Sequence, residues 1–127
     1  MDAVAGHVDP ELLRTARRTA LAHAQRQIDA EAAAADDLRT SVLPRLRAAI
    51  AEARAERSIG RAWLFGSFAW GLPTDRSDVD LLVESRGDPL GLAGHLGGAV
   101  GRDAHVIPLE RAPESLVARA LAEGIEL

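Results

Sequence analysis

The stretch "SDVDLLV" (77–83) sets two aspartates, Asp78 and Asp80, into an apolar run of strand length. Side chains of a strand alternate between faces, so Asp78, Asp80 and Leu82 share one face, and Val79, Leu81 and Val83 the other. The apolar face demands a core. The two aspartates, ~6.6 Å apart along a strand, resist one: buried unpaired, they would repel and lose hydration at a cost of several kcal/mol. The chain must therefore fold into a sheet that leaves the start of this strand open. Either water solvates the pair, or a divalent cation is shared between the two carboxylates. Mg²⁺ suits the second case, since it takes oxygen ligands at ~2.1 Å and prefers a couple of carboxylates completed by substrate phosphates.

Upstream, "RAWLF" (61–65) reads as a short buried strand stopped by Gly66. Gly66-Ser67 then opens a helix-like piece, "SFAW". A glycine there lets a ligand approach the backbone, the N–H groups of a strand-to-helix turn favour an anion, and Ser67 adds a hydroxyl donor. This is not a P-loop, because the Gly-x-x-x-x-Gly-Lys pattern is absent and the chain has no lysine. Taken together, a phosphate-cradling turn followed after ten residues by Asp-x-Asp on a neighbouring strand would put a phosphate chain beside a cation pair.

The remaining elements frame these two strands. Residues 1–9 are expected to be frayed. A first helix begins at Asp9-Pro10 and runs to about Asp36, with Leu13, Ala16, Ala20, Ala24 and Ile28 on one narrow stripe. A second helix starts near Ser41, with Pro44 in its first turn, Leu43, Leu46, Ile50 and Ala53 on its inner face, and its end by Gly60. "GDPLGLAGHLGGAVG" (87–101) is a glycine-weakened helix or a partly irregular loop. "RDAHVIPL" (102–109) is a third strand, and "PESLVARALAEG" (113–124) a final helix with Gly124 at its C-cap. The expected fold is therefore α/β (α+β), a short mixed sheet flanked by helices. Residues 1–40 are expected to form an N-terminal helical extension and 41–127 the main domain. Aromatics are only 3% of the chain, so Leu, Val, Ile and Ala must build the core.

Composition narrows the partners. The net charge of −4 argues against binding duplex nucleic acid through its phosphates. No apolar run approaches the ~20 residues needed to span a bilayer, and the N-terminus shows no signal peptide. The absence of cysteine removes thiolate metal sites and fits a reducing, cytoplasmic setting. His7, His23 and His95 form no ligand spacing.

Gly66-Ser67, the ten residues 68–77, and Asp78-Val79-Asp80 resemble the Gly-Ser-x10-Asp-x-Asp signature of the DNA polymerase β-like nucleotidyltransferase superfamily. Gly71 in the loop, Ser77 before the first Asp and Leu81-Leu82-Val83 after the second fit its frame. The short length resembles the minimal nucleotidyltransferase (MNT) branch, over about residues 42–127. The resemblance implies that Gly66 and Ser67 hold the nucleotide phosphates. It implies also that Asp78 and Asp80 bind Mg²⁺, two ions in all, while a hydroxyl attacks the α-phosphate of ATP and expels pyrophosphate. A third carboxylate on a later strand usually completes the site. Aligned on Leu109 and Ala112, that position holds His105, with Asp103 two residues earlier on the same strand face. Either a small shift lets Asp103 serve as third metal ligand and catalytic carboxylate, helping to deprotonate the attacking hydroxyl, or His105 takes the place, or the third carboxylate is missing. Trp70 stands where many relatives carry Arg; it forgoes a phosphate contact or caps the core.

Relatives of this size are similar to antitoxins paired with HEPN-domain ribonuclease toxins, which they silence by transferring AMP to a toxin tyrosine. No C-terminal substrate domain like that of antibiotic-modifying relatives is expected, which fits a macromolecular acceptor. The small-residue stripe of the N-terminal helix is either a plain packing face or a partner surface through which homo- or hetero-oligomers form. The competing functions are transfer to a small molecule or an RNA end, and an antitoxin with a degenerate site that acts by binding alone.

Overall fold

The computed structural model describes residues 9–57, 59–85 and 88–127. The expected fraying of residues 1–9 therefore falls, but for Asp9, outside the described residues, as does His7. The chain divides into two compact units, residues 1–33 and 34–127. In chain order the elements are α1 (Pro10–Glu56), β1 (Ile59–Phe65), α2 (Ser67–Trp70), β2 (Val79–Ser85), α3 (Pro89–Val100), β3 (Ala104–Pro108), a 3-10 turn (Leu109–Arg111), α4 (Glu114–Glu123) and β4 (Ile125–Glu126).

The two helices expected before Gly60 are one helix, α1, with Pro44 in its interior. Proline there removes a helical N–H and crowds the carbonyl four residues back, at about 3 kcal/mol. Burial offsets this cost. Val42, Leu46, Ala49, Ile50 and Ala53 recur at helical spacing around Pro44 and are buried in the second unit's core. Nothing in "DDLRT" (36–40) breaks the helix either: the Thr40 hydroxyl donates back to the Asp36 carbonyl at 2.8 Å.

The second unit is built on a four-stranded mixed sheet in the order β3-β2-β1-β4. β1 runs antiparallel to both β2 and β4, whereas β2 and β3 are parallel. Alternation along β2 serves both faces of the sheet. Val79, Leu81 and Val83 enter a core with Leu46, Ile50 and Phe68, together with Leu92, Leu96 and Val100 of α3. Leu82 packs on the opposite side with Trp63 of β1 and Ala120 of α4. That spacing of four between Leu92, Leu96 and Val100 makes the glycine-rich segment a helix; its N-terminus is capped by Asp88, whose side chain accepts from the Leu90 N–H at 3.0 Å.

β4 was not foreseen. It is two residues long and pairs with Trp63 and Leu64, too short for any periodicity to mark. Gly124 ends α4 as expected but with φ −73°, so its backbone is ordinary. Glycine is needed there for room, since a Cβ would lie 2.4 Å from the Ala120 carbonyl oxygen and 2.9 Å from that of Leu64. Among the described residues no helix is long and apolar enough to cross a membrane.

Candidate active site

The site forms where β1, β2 and β3 bring their ends together. Phe65, the last residue of β1, pairs with Asp80, so the Gly66-Ser67 turn opens directly beside that carboxylate. Gly66 has φ +74°, a conformation that strains any residue with a Cβ. A Cβ would also lie 2.5 Å from Asp80 Oδ2. Glycine is thus required twice over, and its bareness keeps the space beside Asp80 open. After the turn, the Ala69 and Trp70 N–H groups both donate to the Gly66 carbonyl at 3.0 Å, closing the single turn α2. Among the described residues the Ser67 hydroxyl has no hydrogen-bond partner, so it is free to donate to a ligand.

Asp78 and Asp80 lie at the open start of β2, with side chains 38% and 26% exposed. His105 faces them from β3. Parallel pairing sets Asp80 opposite His105; its Nδ1 lies 3.4 Å from Asp80 Oδ1 and its Nε2 3.5 Å from Asp78 Oδ2. His105, rather than Asp103, therefore occupies the place opposite the pair. Asp103 contributes its backbone, its carbonyl accepting from the Val79 N–H at 3.0 Å, and its exposed side chain lines a groove next to His105. That open groove, about 530 Å³, runs between β3 and the glycine face of α3, past Gly94, Gly97, Gly98 and Gly101.

Burial pushes the Asp80 carboxyl above the ordinary carboxylate range, and the neighbouring Asp78 adds to the rise while His105 opposes it. A carboxylate in this position gains from a cation. The donors, two carboxylates in a space that Gly66 leaves clear, suit a hard divalent ion. Among the described residues no three His, Cys, Asp or Glu side chains form a metal-holding group. Asp78 and Asp80 are thus the two donors that could hold such an ion, and phosphate oxygens and water would have to complete its shell.

Three arginines that carry the site's scaffolding were not singled out by the sequence. Arg102 donates to the carbonyls of Thr74 (3.2 Å) and Ser77 (2.8 Å) and lies over the Phe68 ring at 5.0 Å, so it fixes the loop that delivers Asp78. Arg39 of α1 donates to the Phe68 carbonyl at 3.0 Å and to that of Gly71, holding the end of α2. Arg119 of α4 stacks 4.1 Å over Trp70, which in turn meets Phe65 at 6.2 Å. Trp70 therefore carries a cation on its own face. None of these arginines sits at a distinctive spacing, and only the fold brings them to the loop. His95 lies apart from the site, 3.5 Å from Glu52 of α1.

No curated protein matches the sequence. Among solved structures, one described as "Structure of putative minimal nucleotidyltransferase" is 28% identical, with a TM-score of 0.60, covering 70% of this chain and 95% of that one. The family model Polymerase beta, Nucleotidyltransferase matches residues 48–127, which include the Gly66-Ser67 turn, both aspartates and His105. That match spans more than half of the chain, and the chain belongs to the polymerase beta nucleotidyltransferase family.

Proposed function

We propose that the protein is an antitoxin-type nucleotidyltransferase that moves AMP from ATP to a tyrosine hydroxyl of a partner HEPN ribonuclease toxin. Membership of the family supports nucleotidyl transfer in general, with a nucleoside triphosphate and divalent metal. The observation that carries the finer reading is the openness of the site. Asp78 is 38% exposed and His105 64%, so a side chain standing on another protein's surface can reach them. The exposed groove beside His105 leaves further room for such an acceptor.

Each residue then has a role. Gly66 lets the phosphates lie against the backbone, and Ser67 donates to a phosphate oxygen. Asp78 and Asp80 would hold the divalent cations, which supply charge neutralisation at the phosphates and activation of the acceptor hydroxyl. The acceptor oxygen bonds to the α-phosphorus, the bond to the β-phosphate oxygen breaks, and pyrophosphate leaves. His105, whose ring nitrogens stand 3.4 and 3.5 Å from the two aspartates, is the residue placed to take the hydroxyl proton.

His105 also favours a second reading, an antitoxin that neutralises by contact, because an imidazole is a poorer Mg²⁺ ligand than the carboxylate it replaces. Labelled ATP, Mg²⁺ and a candidate helical partner protein separate the readings. Label on the partner, lost in Asp78→Ala, supports adenylylation. Tight binding without label, unchanged in Asp78→Ala, supports contact alone. Label only on RNA or on a small molecule overturns both in favour of another acceptor.

A further inference from the structure

Every described residue from Asp9 to Glu31 is exposed, including Leu13 (41%), Leu21 (70%) and Ile28 (56%). At 100° per residue, Leu13, Ala20, Leu21, Ala24 and Ile28 fall within an arc of about 100° on α1. Two charged residues, Arg17 and Glu31, lie inside the same arc. They are placed symmetrically: Arg17 is seven residues before Ala24 and Glu31 seven after it. Ala20 and Ile28 sit four residues to either side. Neither charge has an opposite partner three or four residues away on the helix, and among the described residues neither has an ion-pair partner.

We propose that this face binds the same face of a second copy of the chain, antiparallel, with a two-fold axis at Ala24. The axis carries Arg17 onto Glu31 of the second copy, and Glu31 onto its Arg17, so both charges in the apolar arc are answered. It also sets each Ala20 against Ile28, small against large. A parallel pair would instead stack Arg17 on Arg17 and Glu31 on Glu31. Alanines at the centre let the backbones approach closely, and the contact from residue 17 to residue 31 is about 21 Å long at 1.5 Å per residue. Apolar contact drives the association. The exposed ion pairs fix its direction.

Light scattering on the full chain at about 100 µM, tight enough to populate a micromolar complex, should give a dimer. R17E and E31R should each weaken the dimer roughly tenfold or more, with helix content by circular dichroism unchanged. Mixing the two variants should restore the dimer, because acid then faces base at both contacts. The chain has no cysteine, so oxidising a mixture of A20C and I28C should yield mainly the mixed cross-link. A monomeric wild type, a dimer unaffected by R17E, or self-linking of A20C in place of the mixed product would each overturn the proposal. The first of these would leave the face to a different chain.

Discussion

His105 lies opposite Asp80 across the parallel β2–β3 pairing, with its Nδ1 3.4 Å from the Asp80 carboxylate. An imidazole thus stands against both aspartates of the site. Replacing it with a carboxylate sharpens the contest between protein stability and cation binding. His105→Asp should lower the melting temperature of the metal-free protein, through like-charge repulsion, and should raise Mn²⁺ affinity roughly tenfold or more. Calorimetric titration with Mn²⁺ and thermal melts with and without the ion check both directions. A variant with unchanged Mn²⁺ affinity would place position 105 outside the coordination shell.

Asp80 itself should cost the metal-free fold stability. Its folded pKa is raised above the ordinary value of 3.8, chiefly by burial, so the native state favours the protonated form. The unfavourable contribution is absent below the unfolded pKa and complete above the folded one, so stability is lost as pH rises through that window. Asp80→Asn should therefore melt higher than wild type at neutral pH, by a few degrees at most. The gain should vanish once the pH falls below the unfolded value of 3.8. Melts of both proteins across that range, without divalent ions, give the comparison.

Activity should depend on the pair. Asp78→Ala and Asp80→Ala are each expected to reduce nucleotidyl transfer by roughly a hundred- to a thousandfold or more, and chelation of divalent ions should have the same effect on wild type. Single-turnover rates with labelled ATP measure this. Activity that survives both substitutions would move the chemistry elsewhere.

Gly66→Ala combines a strained positive φ with a Cβ 2.5 Å from Asp80 Oδ2. It should cost about 1–3 kcal/mol of stability and most of the ATP affinity. Urea unfolding and equilibrium nucleotide binding separate the two losses.

Arg102→Ala removes two charge-assisted hydrogen bonds to the carbonyls of Thr74 and Ser77. The expected cost is about 1.5–3 kcal/mol, with faster amide exchange confined to residues near 72–78. Because Asp78 rides on that loop, Mn²⁺ affinity should fall although Arg102 is no ligand. Protection that drops across the whole chain would mark Arg102 as a general stabiliser instead.

Much of this was legible in the chain, for identifiable reasons. Apolar alternation marked β2, because its two faces enter two different apolar clusters. The Gly66 turn was legible because only a glycine fits its φ. α1 was misread around Pro44, since the apolar spacing that carries the helix through lies on both sides of that proline, and a local rule weighs the proline alone. The place of His105 needed the β2–β3 register, which no local pattern encodes. The arginine contacts were invisible for the same reason. Arg102 acts on carbonyls 25 and 28 residues away.

The parallel register of β2 and β3 has one further consequence. The address opposite Asp80 is fixed by main-chain hydrogen bonds, so whatever side chain position 105 bears is delivered to the aspartates. Histidine and aspartate codons, CAY and GAY, differ in their first base. A single point mutation at codon 105 is therefore enough to exchange the imidazole for a third carboxylate at this address.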